Sequence, residues 1–379
     1  MNTEDGKLKF EYAEPEQEKA NGIKIKVIGV GGCGCNIIND MADFDLKAAD
    51  LIAVNTDLQS MKLTNVENKI QIGKLITRGG GAGSNAEKGA AAAEEDRETL
   101  ENALRGTDML FITCGLGGGT GSGAAPVIAD IARSLDILTV AVIITPFKVE
   151  LRNSGKKKRV EDATAKLRDK VHSVITISNE KMNEVCEKGM SIPDAYKEVN
   201  RALIETVNGI VNMIVITGMQ NIDFEDVKTA LKQKGDTFLG IGRASGTDRS
   251  KKALELALNN KYIGEMDING AKELLINFTG NIGLSDLKEI ENLTKLTGND
   301  VGLKYGVVND MSLGNEIEVV LLISGINNKP VIIVNPDEII SNREARSSNR
   351  GSIKIKNIMD NDYVDAEIPT FQRNTVGYN

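Results

Sequence analysis

Apolar residues along the chain recur in two patterns, short continuous runs and runs with helical spacing, which alternate through the first half of the sequence. The short runs cover 23–30, 51–54, 108–114, 138–144 and 174–179. Runs of this length, bounded by glycine or polar residues, are typical of strands in a parallel sheet that is covered on both faces. Apolar residues such as Val127, Ile131 and Leu135 repeat at helical intervals between them. The pattern therefore predicts an α/β domain with an open parallel sheet.

The longest helical pattern starts at Ile192. Its apolar positions step by three or four residues, at Tyr196, Val199, Leu203, Val207, Ile210 and Ile214. This spacing predicts an amphipathic helix of about 25 residues, long enough to form a spine between two domains. Beyond it, a smaller α+β unit is predicted, with strands at 237–245, 271–279, 302–308 and 316–324 and helices at 248–259 and 285–297.

These patterns divide the chain into six predicted segments. They are a disordered N-terminal arm (1–21), an α/β domain (22–191), a central helix (192–217), a C-terminal α+β domain (218–326), a linker (327–360) and a tail (361–379). The arm is rich in Glu and Lys and poor in apolar residues, which favours disorder. The tail regains apolar residues beside Pro369 and Arg373, as peptide ligands on a flexible tether do.

A glycine-rich loop at 115–123 reads GLGGGTGSG and stands between a predicted strand and a predicted helix. A strand that ends in glycines and turns into a helix leaves backbone N–H groups unpaired, and such groups bind phosphate. Thr120 and Ser122 add hydroxyl donors, but no lysine follows where a Walker-type loop carries one. Pro126 is expected in the first turn of the next helix, where a missing N–H is tolerated.

Two more glycine-rich segments precede predicted helices. The first includes Gly31, Gly32, Cys33, Gly34, Cys35 and Asn36, and the other, 77–85, precedes a helix predicted at 87–104. Three such loops in one domain suit a triphosphate surrounded by backbone amides. However, Gly29, Gly31 and Gly34 also satisfy the dinucleotide fingerprint, and Asp57 follows at the distance of a ribose-binding acid. The spacing fits an ordinary Asx turn at Asp57 equally well. An NAD-dependent Rossmann oxidoreductase is therefore the alternative prediction.

Polar residues near the fourth predicted strand offer further contacts to a nucleotide. Glu150 follows that strand and could accept hydrogen bonds from ribose hydroxyls. The segment 151–159 is predicted as a basic loop, either simply solvated or a partner for phosphate charge, and the sequence does not distinguish Arg152, Lys156 and Arg159 in that role.

Both ends of the central helix carry candidate functional residues. Tyr196 and Asn200 lie four residues apart on one face, so an aromatic ring and an amide can meet a purine together. Asp223 and Asp226 follow the other end and could simply cap the next helix. Because the helix is roughly 35 to 40 Å long, these acids can serve chemistry only on a neighbouring molecule.

Composition narrows the possible functions. The 379 residues include 46 basic and 54 acidic side chains, and the resulting charge of −8 argues against a nucleic-acid surface. No apolar run approaches the length of a membrane span and the N-terminal segment is charged, so a cytosolic protein without direct membrane insertion is expected. The four cysteines fit neither a disulfide framework nor a zinc site. With one histidine, His172, acid–base chemistry must fall to carboxylates.

The run GGGTGSG at 117–123 resembles the signature loop of the tubulin/FtsZ family, and the resemblance extends from about residue 23 to residue 326. The segment EIPTFQR at 367–373 is similar to the conserved FtsZ tail. The resemblance implies a Rossmann-like, parallel-sheet GTP-binding domain joined by the long central helix to a smaller α+β domain. It also implies a GTPase that uses GTP, GDP and Mg²⁺ and polymerises head to tail.

The resemblance assigns roles to particular residues. Nucleotide contacts fall on Gly31, Gly32, Cys33, Gly34, Cys35, Asn36, Asp57, Gly118, Gly119, Thr120, Gly121, Glu150, Asn179, Tyr196 and Asn200. Catalysis falls on Asn221, Asp223 and Asp226, which match the synergy loop that completes the site of the next subunit. No metal site formed by protein side chains is predicted.

The resemblance further implies a cytoplasmic protein that forms the contractile cytokinetic ring, or Z ring, at the bacterial division site on the inner face of the membrane. Its partners would be other copies of itself, together with membrane-anchoring and regulatory division proteins. These proteins would bind the tail around Ile368, Pro369, Phe371 and Arg373.

The sequence also departs from the family pattern. Cys33 and Cys35 interrupt the glycine loop at 31–36. Gly80 and Ala86 stand where the family commonly has Leu and Pro in and after the loop at 77–85. An insertion after Glu150 breaks the acid–Gly–basic–basic–Arg run of the family. A slower GTPase, or a filament scaffold that binds nucleotide without hydrolysing it, is therefore a further alternative.

Overall fold

The computed structural model describes residues 22–44, 46, 48–182, 186, 189–259, 268–297 and 301–326. The predictions for the arm and the tail, including Ile368, Pro369, Phe371 and Arg373, fall outside these residues, as does the prediction of a linker. Within the described ranges, no helix combines the length and the apolar character that crossing a membrane requires.

The first domain is built on a six-stranded parallel sheet with the order β3-β2-β1-β4-β5-β6. Its strands are β1 (Ile25–Val30), β2 (Ala49–Asn55), β3 (Asn68–Gln71), β4 (Met109–Gly115), β5 (Leu138–Thr145) and β6 (Ser173–Ser178). The predicted α/β fold is confirmed. The strand order reverses between β1 and β4, and in doubly wound sheets ligands bind beyond the carboxyl ends of the strands at such a point.

Helices cover both faces of this sheet. Those described are α1 (Gly31–Asp43), α2 (Leu58–Leu63), α3 (Lys74–Thr77), α4 (Ala86–Glu95), α5 (Arg97–Leu104), α6 (Thr120–Ser134), α7 (Lys148–Leu151) and α8 (Ser154–Lys170). Apolar residues of α4, α5, α6 and α8 pack on one face, and α1 packs on the other.

Two segments of this domain differ from their predicted secondary structure, and β3 was not predicted. The helix predicted at 87–104 is interrupted at Asp96, whose Oδ2 accepts a hydrogen bond from the Gly73 N–H at 2.7 Å. The segment 151–159, predicted as a loop, is largely helical because it contains the end of α7 and the first turns of α8. The Asn153 side chain caps α8 by accepting from the Lys156 N–H at 3.0 Å.

The central helix is α9 (Ile192–Val215), which begins at a Ser191 cap and has Pro193 in its first turn. Leu203, Val207 and Ile210 of its apolar stripe are fully buried. These side chains belong to a core cluster that also contains residues of α1, β5 and both sheets. The helix therefore joins the two domains through one continuous apolar core.

The second domain contains a four-stranded sheet with the order β7-β10-β8-β9. Its elements are α10 (Phe224–Leu231), β7 (Asp236–Ser245), α11 (Arg249–Leu258), β8 (Glu273–Gly280), α12 (Glu289–Thr297), β9 (Gly302–Asn309) and β10 (Glu316–Ile326). Strand β10 is antiparallel to β7 and β8, whereas β8 and β9 are parallel. The smaller α+β domain of the predicted fold is thus present.

Candidate functional site

A cavity of ≈ 350 Å³ opens beyond the carboxyl ends of β1, β4 and β5, at the reversal of strand order. Its lining consists of Val30, Gly31, Gly32, Cys33, Gly115, Leu116, Gly118, Gly119, Thr120, Gly121, Ile144, Pro146, Glu150, Lys156, Asn179 and Tyr196. A larger groove of ≈ 870 Å³ lies between α4, α6 and α8, away from the strand ends. We take the smaller cavity as the candidate site because it combines the sheet edge with two helix starts.

The N-termini of α1 and α6 meet at this cavity. Neither helix start is capped by a side chain, and neither carries an acidic residue in its first turn. A Cβ added at Gly31 would lie 3.0 Å from the backbone nitrogen of Gly121, so the two helix starts are in close contact. Unpaired N–H groups and the positive ends of two helix dipoles therefore face the same space, which suits an anion such as phosphate.

The signature loop between β4 and α6 is held by contacts from both sides. Gly117 has a φ of 94°, its N–H donates to Ser122 Oγ at 2.8 Å, and its carbonyl accepts from Arg159 Nε at 3.1 Å. The hydroxyls of Thr56 and Thr120 are 2.7 Å apart, which ties the end of β2 to the start of α6. These contacts hold the loop at the edge of the cavity.

The proline prediction for α6 was wrong. The helix begins at Thr120, so Pro126 lies in its second turn and not in its first. The glycines Gly121 and Gly123 are therefore helical, and the free loop is shorter than the nine-residue motif. At Gly123, α4 comes so close that a Cβ would lie 2.0 Å from the Ala86 carbonyl oxygen, so any side chain here would force the two helices apart.

Aromatic and amide side chains line the end of the cavity next to α9. Tyr196 is 42% exposed and packs edge-to-face against Phe147, with ring centroids 6.5 Å apart. Asn179 is only 8% exposed, and its Oδ1 has no hydrogen-bond partner among the described residues. A buried unpaired oxygen is costly, so a ligand that donates a hydrogen bond here is expected, and the N–H groups of a guanine fit this requirement.

The acidic wall of the cavity is Glu150. Its Oε1 accepts from the Phe147 N–H at 3.4 Å, and its Oε2 forms an ion pair with Lys156 Nζ. Among the described residues that line the cavity, Glu150 is the only acid and Lys156 is the only cation. Sequence reasoning had named Lys156 only as one of several basic residues, because the helical start of α8 was not predicted.

Several predicted nucleotide-binding residues lie outside this lining. Cys35 is buried beside the Val54 carbonyl, where burial raises the pKa of its thiol to about 11. Asp57 Oδ1 caps α2 by accepting from the N–H of Gln59 at 2.8 Å. Asn200 Nδ2 donates to Asp40 Oδ2 at 2.6 Å. Two more of these residues, Gly34 and Asn36, are absent from the lining of the cavity as described.

The glycine-rich loop 77–85 packs against the signature loop (115–123). A Cβ at Gly119 would lie 2.8 Å from Ala82 Cβ and 2.9 Å from the backbone nitrogen of Asn85. The Asn85 side chain caps α4 by accepting from the Lys88 N–H at 2.9 Å. This loop therefore positions the cavity wall and contributes none of its described lining.

The predicted catalytic residues lie beyond the other end of α9. Asn221 Oδ1 accepts from the Gly218 N–H at 2.6 Å, and Asp223 is an exposed residue at the start of α10. Asp226 forms an ion pair with Lys304 of β9, with Nζ 3.4 Å from Oδ1. The structure thus brings these three residues together and keeps them apart from the cavity.

Comparisons with known proteins identify the family to which this fold belongs. Residues 24–187 match the GTPase domain of the Tubulin/FtsZ family, and residues 235–327 match the C-terminal domain of the FtsZ family. An empty FtsZ dimer from M. jannaschii is 36% identical, with a TM-score of 0.73 and coverage of 82% of this chain and 90% of that chain. An FtsZ mutant from M. jannaschii matches at 36% identity and a TM-score of 0.73, with coverage of 80% of this chain and 91% of that chain.

A solved structure of lower sequence identity is similar to this chain in its fold only. CetZ2 from Haloferax volcanii, solved as a GTPgS-bound protofilament, is 21% identical, with a TM-score of 0.69 and coverage of 86% of this chain and 99% of that chain. The family matches do not support the nicotinamide alternative. Gly29 and Gly34 allow close packing, since a Cβ at Gly29 would lie 2.3 Å from the Gly34 carbonyl oxygen, and Asp57 caps α2. Both domains of the family match this chain in the expected order, and an FtsZ is 36% identical to it. The chain therefore belongs to the tubulin/FtsZ family of GTPases.

Proposed function

We propose that this protein polymerises head to tail and hydrolyses GTP at sites shared between adjacent subunits. The observation that carries the proposal is the separation of the cavity from Asn221, Asp223 and Asp226. Tyr196 lines the cavity near the start of α9, whereas the acids follow its end. The 24 residues of α9 span about 36 Å at 1.5 Å per residue, so the acids of one molecule cannot reach its own cavity.

Different residues of the cavity would contact the phosphates, the ribose and the base of GTP. The N–H groups at the starts of α1 and α6 would hold the phosphates, Glu150 would accept from ribose, and Asn179 Oδ1 would accept from guanine. The exposed ring of Tyr196 would pack against the base. Mg²⁺, which usually binds through phosphate oxygens and water, would neutralise the phosphate charge. Support for this arrangement comes from the unpaired Asn179 oxygen and the two uncapped helix starts.

The acids at the opposite pole would complete the site of the next subunit. Asp223 and Asp226 would orient the attacking water, and Asn221 would hold the loop through its bond to Gly218. A contact between two different surfaces of the same molecule generates open filaments when the rotation does not close. Hydrolysis would therefore follow assembly, and the release of phosphate would weaken the contact.

At the level of the cell, we place this activity in the Z ring at the bacterial division site, on the cytoplasmic face of the membrane. The supports are the FtsZ family match and the tail sequence EIPTFQR at 367–373, which has the composition of a peptide ligand. Division proteins that anchor and regulate the ring would bind around Ile368, Pro369, Phe371 and Arg373. Loss of these partners on deletion of 361–379, with GTPase activity intact, would agree with this assignment.

A complementation experiment tests the shared site. Asp226→Ala removes a proposed catalytic acid, and Gly118→Val places a side chain in the cavity, where a Cβ at Gly118 meets no atom within 4 Å. Each variant alone should release phosphate at least tenfold more slowly than the wild type. A mixture should recover part of the activity, because an intact cavity of the first variant can meet intact acids of the second.

The matched control is Glu225→Ala, which removes an exposed acid on the same turn of α10 as Asp226. This variant should retain most of the GTPase activity. Two results would contradict the proposal: no recovery in the mixture although Asp226→Ala still binds GTP, or equal activity per molecule in dilute and concentrated wild-type protein.

A further inference from the structure

The insertion after Glu150 places a lysine over the signature loop. Helix α8 starts at Ser154 under the Asn153 cap, and this start brings Lys156 to the wall of the cavity. A Cβ at Gly117 would lie 2.8 Å from Lys156 Cε and 3.1 Å from Cγ. The stem of the lysine therefore lies along the glycine, and the absence of a side chain at Gly117 provides the space for it.

The other basic residues of the segment 151–159 take different positions. Lys157 is exposed, and its Nζ lies 4.0 Å from Glu161 Oε1. Arg152 is exposed and is not part of the described cavity lining. Arg159 binds the Gly117 carbonyl through its Nε. Lys158 is exposed and lines the larger groove between α4, α6 and α8. Lys156 is thus the basic residue of this segment whose charge faces the described cavity.

The ammonium group of Lys156 is paired with a carboxylate of the cavity wall. Lys156 Nζ pairs with Glu150 Oε2, and both side chains are about one third exposed or less, at 27% and 34%. Partly exposed ion pairs are weak, and a lysine has three donors on a flexible stem. An incoming phosphate, with more charge than one carboxylate, can therefore draw the ammonium group from Glu150 with little loss.

We propose that Lys156 exchanges partners when a guanine nucleotide binds: it neutralises Glu150 in the empty cavity and binds phosphate in the occupied one. The exchange releases Glu150 to accept hydrogen bonds from ribose. The inference rests on the proposed binding of guanine nucleotides in this cavity. It makes Lys156 a specificity residue, whose contribution depends on the phosphates of the ligand and not on its base.

The test compares ligands that differ only in phosphate number. The affinities of nucleotide-free, unassembled wild-type protein and its variants for GDP, GMP and guanosine are measured by calorimetry. Lys156→Gln should bind GDP roughly tenfold more weakly, with a reduced salt dependence, and should bind guanosine at least as well as the wild type. Lys156→Arg should retain most of the GDP affinity, and Lys158→Gln, the matched control on the same helix, should retain all of it.

Two outcomes overturn the inference. One is an unchanged GDP affinity in Lys156→Gln, and the other is an equal loss for GDP and guanosine, which would mean that the lysine only supports the loop. Thermal unfolding of each variant shows whether it is folded, and Lys156→Arg keeps the test decisive if Lys156→Gln is not. A wild-type protein that binds none of the three ligands would instead refute the proposed nucleotide site itself.

Discussion

The contact between α4 and α6 makes Gly123→Ala a sharp test of the packing behind the nucleotide cavity. A Cβ at this position would lie 2.0 Å from the Ala86 carbonyl oxygen and 2.6 Å from the Ala90 nitrogen, whereas ordinary contact begins at 3.4 Å. Both atoms belong to the backbone of α4. The two helices must therefore separate by more than 1 Å, since no flexible side chain can move aside.

The cost follows from two opposing effects. Overpacking of a tight interface costs about 1–3 kcal/mol, and the shortness of this contact favours the upper end. Alanine gains about 1 kcal/mol over glycine within a helix. The net loss is therefore about 2 kcal/mol, which corresponds to a decrease of about 4–8 °C in the unfolding midpoint of a domain of this size.

The assay is thermal unfolding of the nucleotide-free protein, followed by circular dichroism. The matched control is Gly118→Ala, because a Cβ at Gly118 meets no atom within 4 Å and should change stability by less than about 0.5 kcal/mol. If Gly123→Ala unfolds at the same temperature as the wild type, the helices are not packed as described and the reasoning fails.

Two further predictions concern buried polar groups. Burial and the nearby charge of Lys232 lower the pKa of His172, and its Nδ1 accepts from the Thr139 N–H at 3.0 Å. Because the unfolded chain binds the imidazole proton more readily, the unfolding midpoint should fall as the pH decreases through 6.5, the ordinary pKa of histidine. His172→Gln should lack this pH dependence. An equal change of midpoint with pH in both proteins would refute the prediction. Asn179→Leu should weaken GDP binding roughly tenfold without lowering the stability of the nucleotide-free protein, because it removes an unpaired buried oxygen. Isothermal titration measures the affinity and thermal unfolding measures the stability. An unchanged affinity would exclude Asn179 as a base contact.

Local features of the sequence determined the fold class and the core of the site. The apolar runs predicted five of the six strands of the first sheet, with each end correct to within two residues, but they did not predict the largely polar β3. The three- and four-residue steps from Tyr196 to Ile214 predicted α9. The glycines after β1 and β4 located the cavity. These signals are readable because strand, helix and glycine turn each depend on residues close together in the chain.

The tertiary structure decided which side chains face the cavity. The sequence positions of Asp57 and Asn200 are compatible with contacts to a nucleotide. In the structure, Asp57 caps the start of α2, and Asn200 donates a hydrogen bond to Asp40. Lys156 reaches Glu150 because residues 154–159 fold as the start of α8, next to Gly117. The break at Asp96 likewise depends on Gly73, 23 residues away. Such partners are chosen by the packing of distant segments, and their identity is not encoded in the spacing of neighbouring residues.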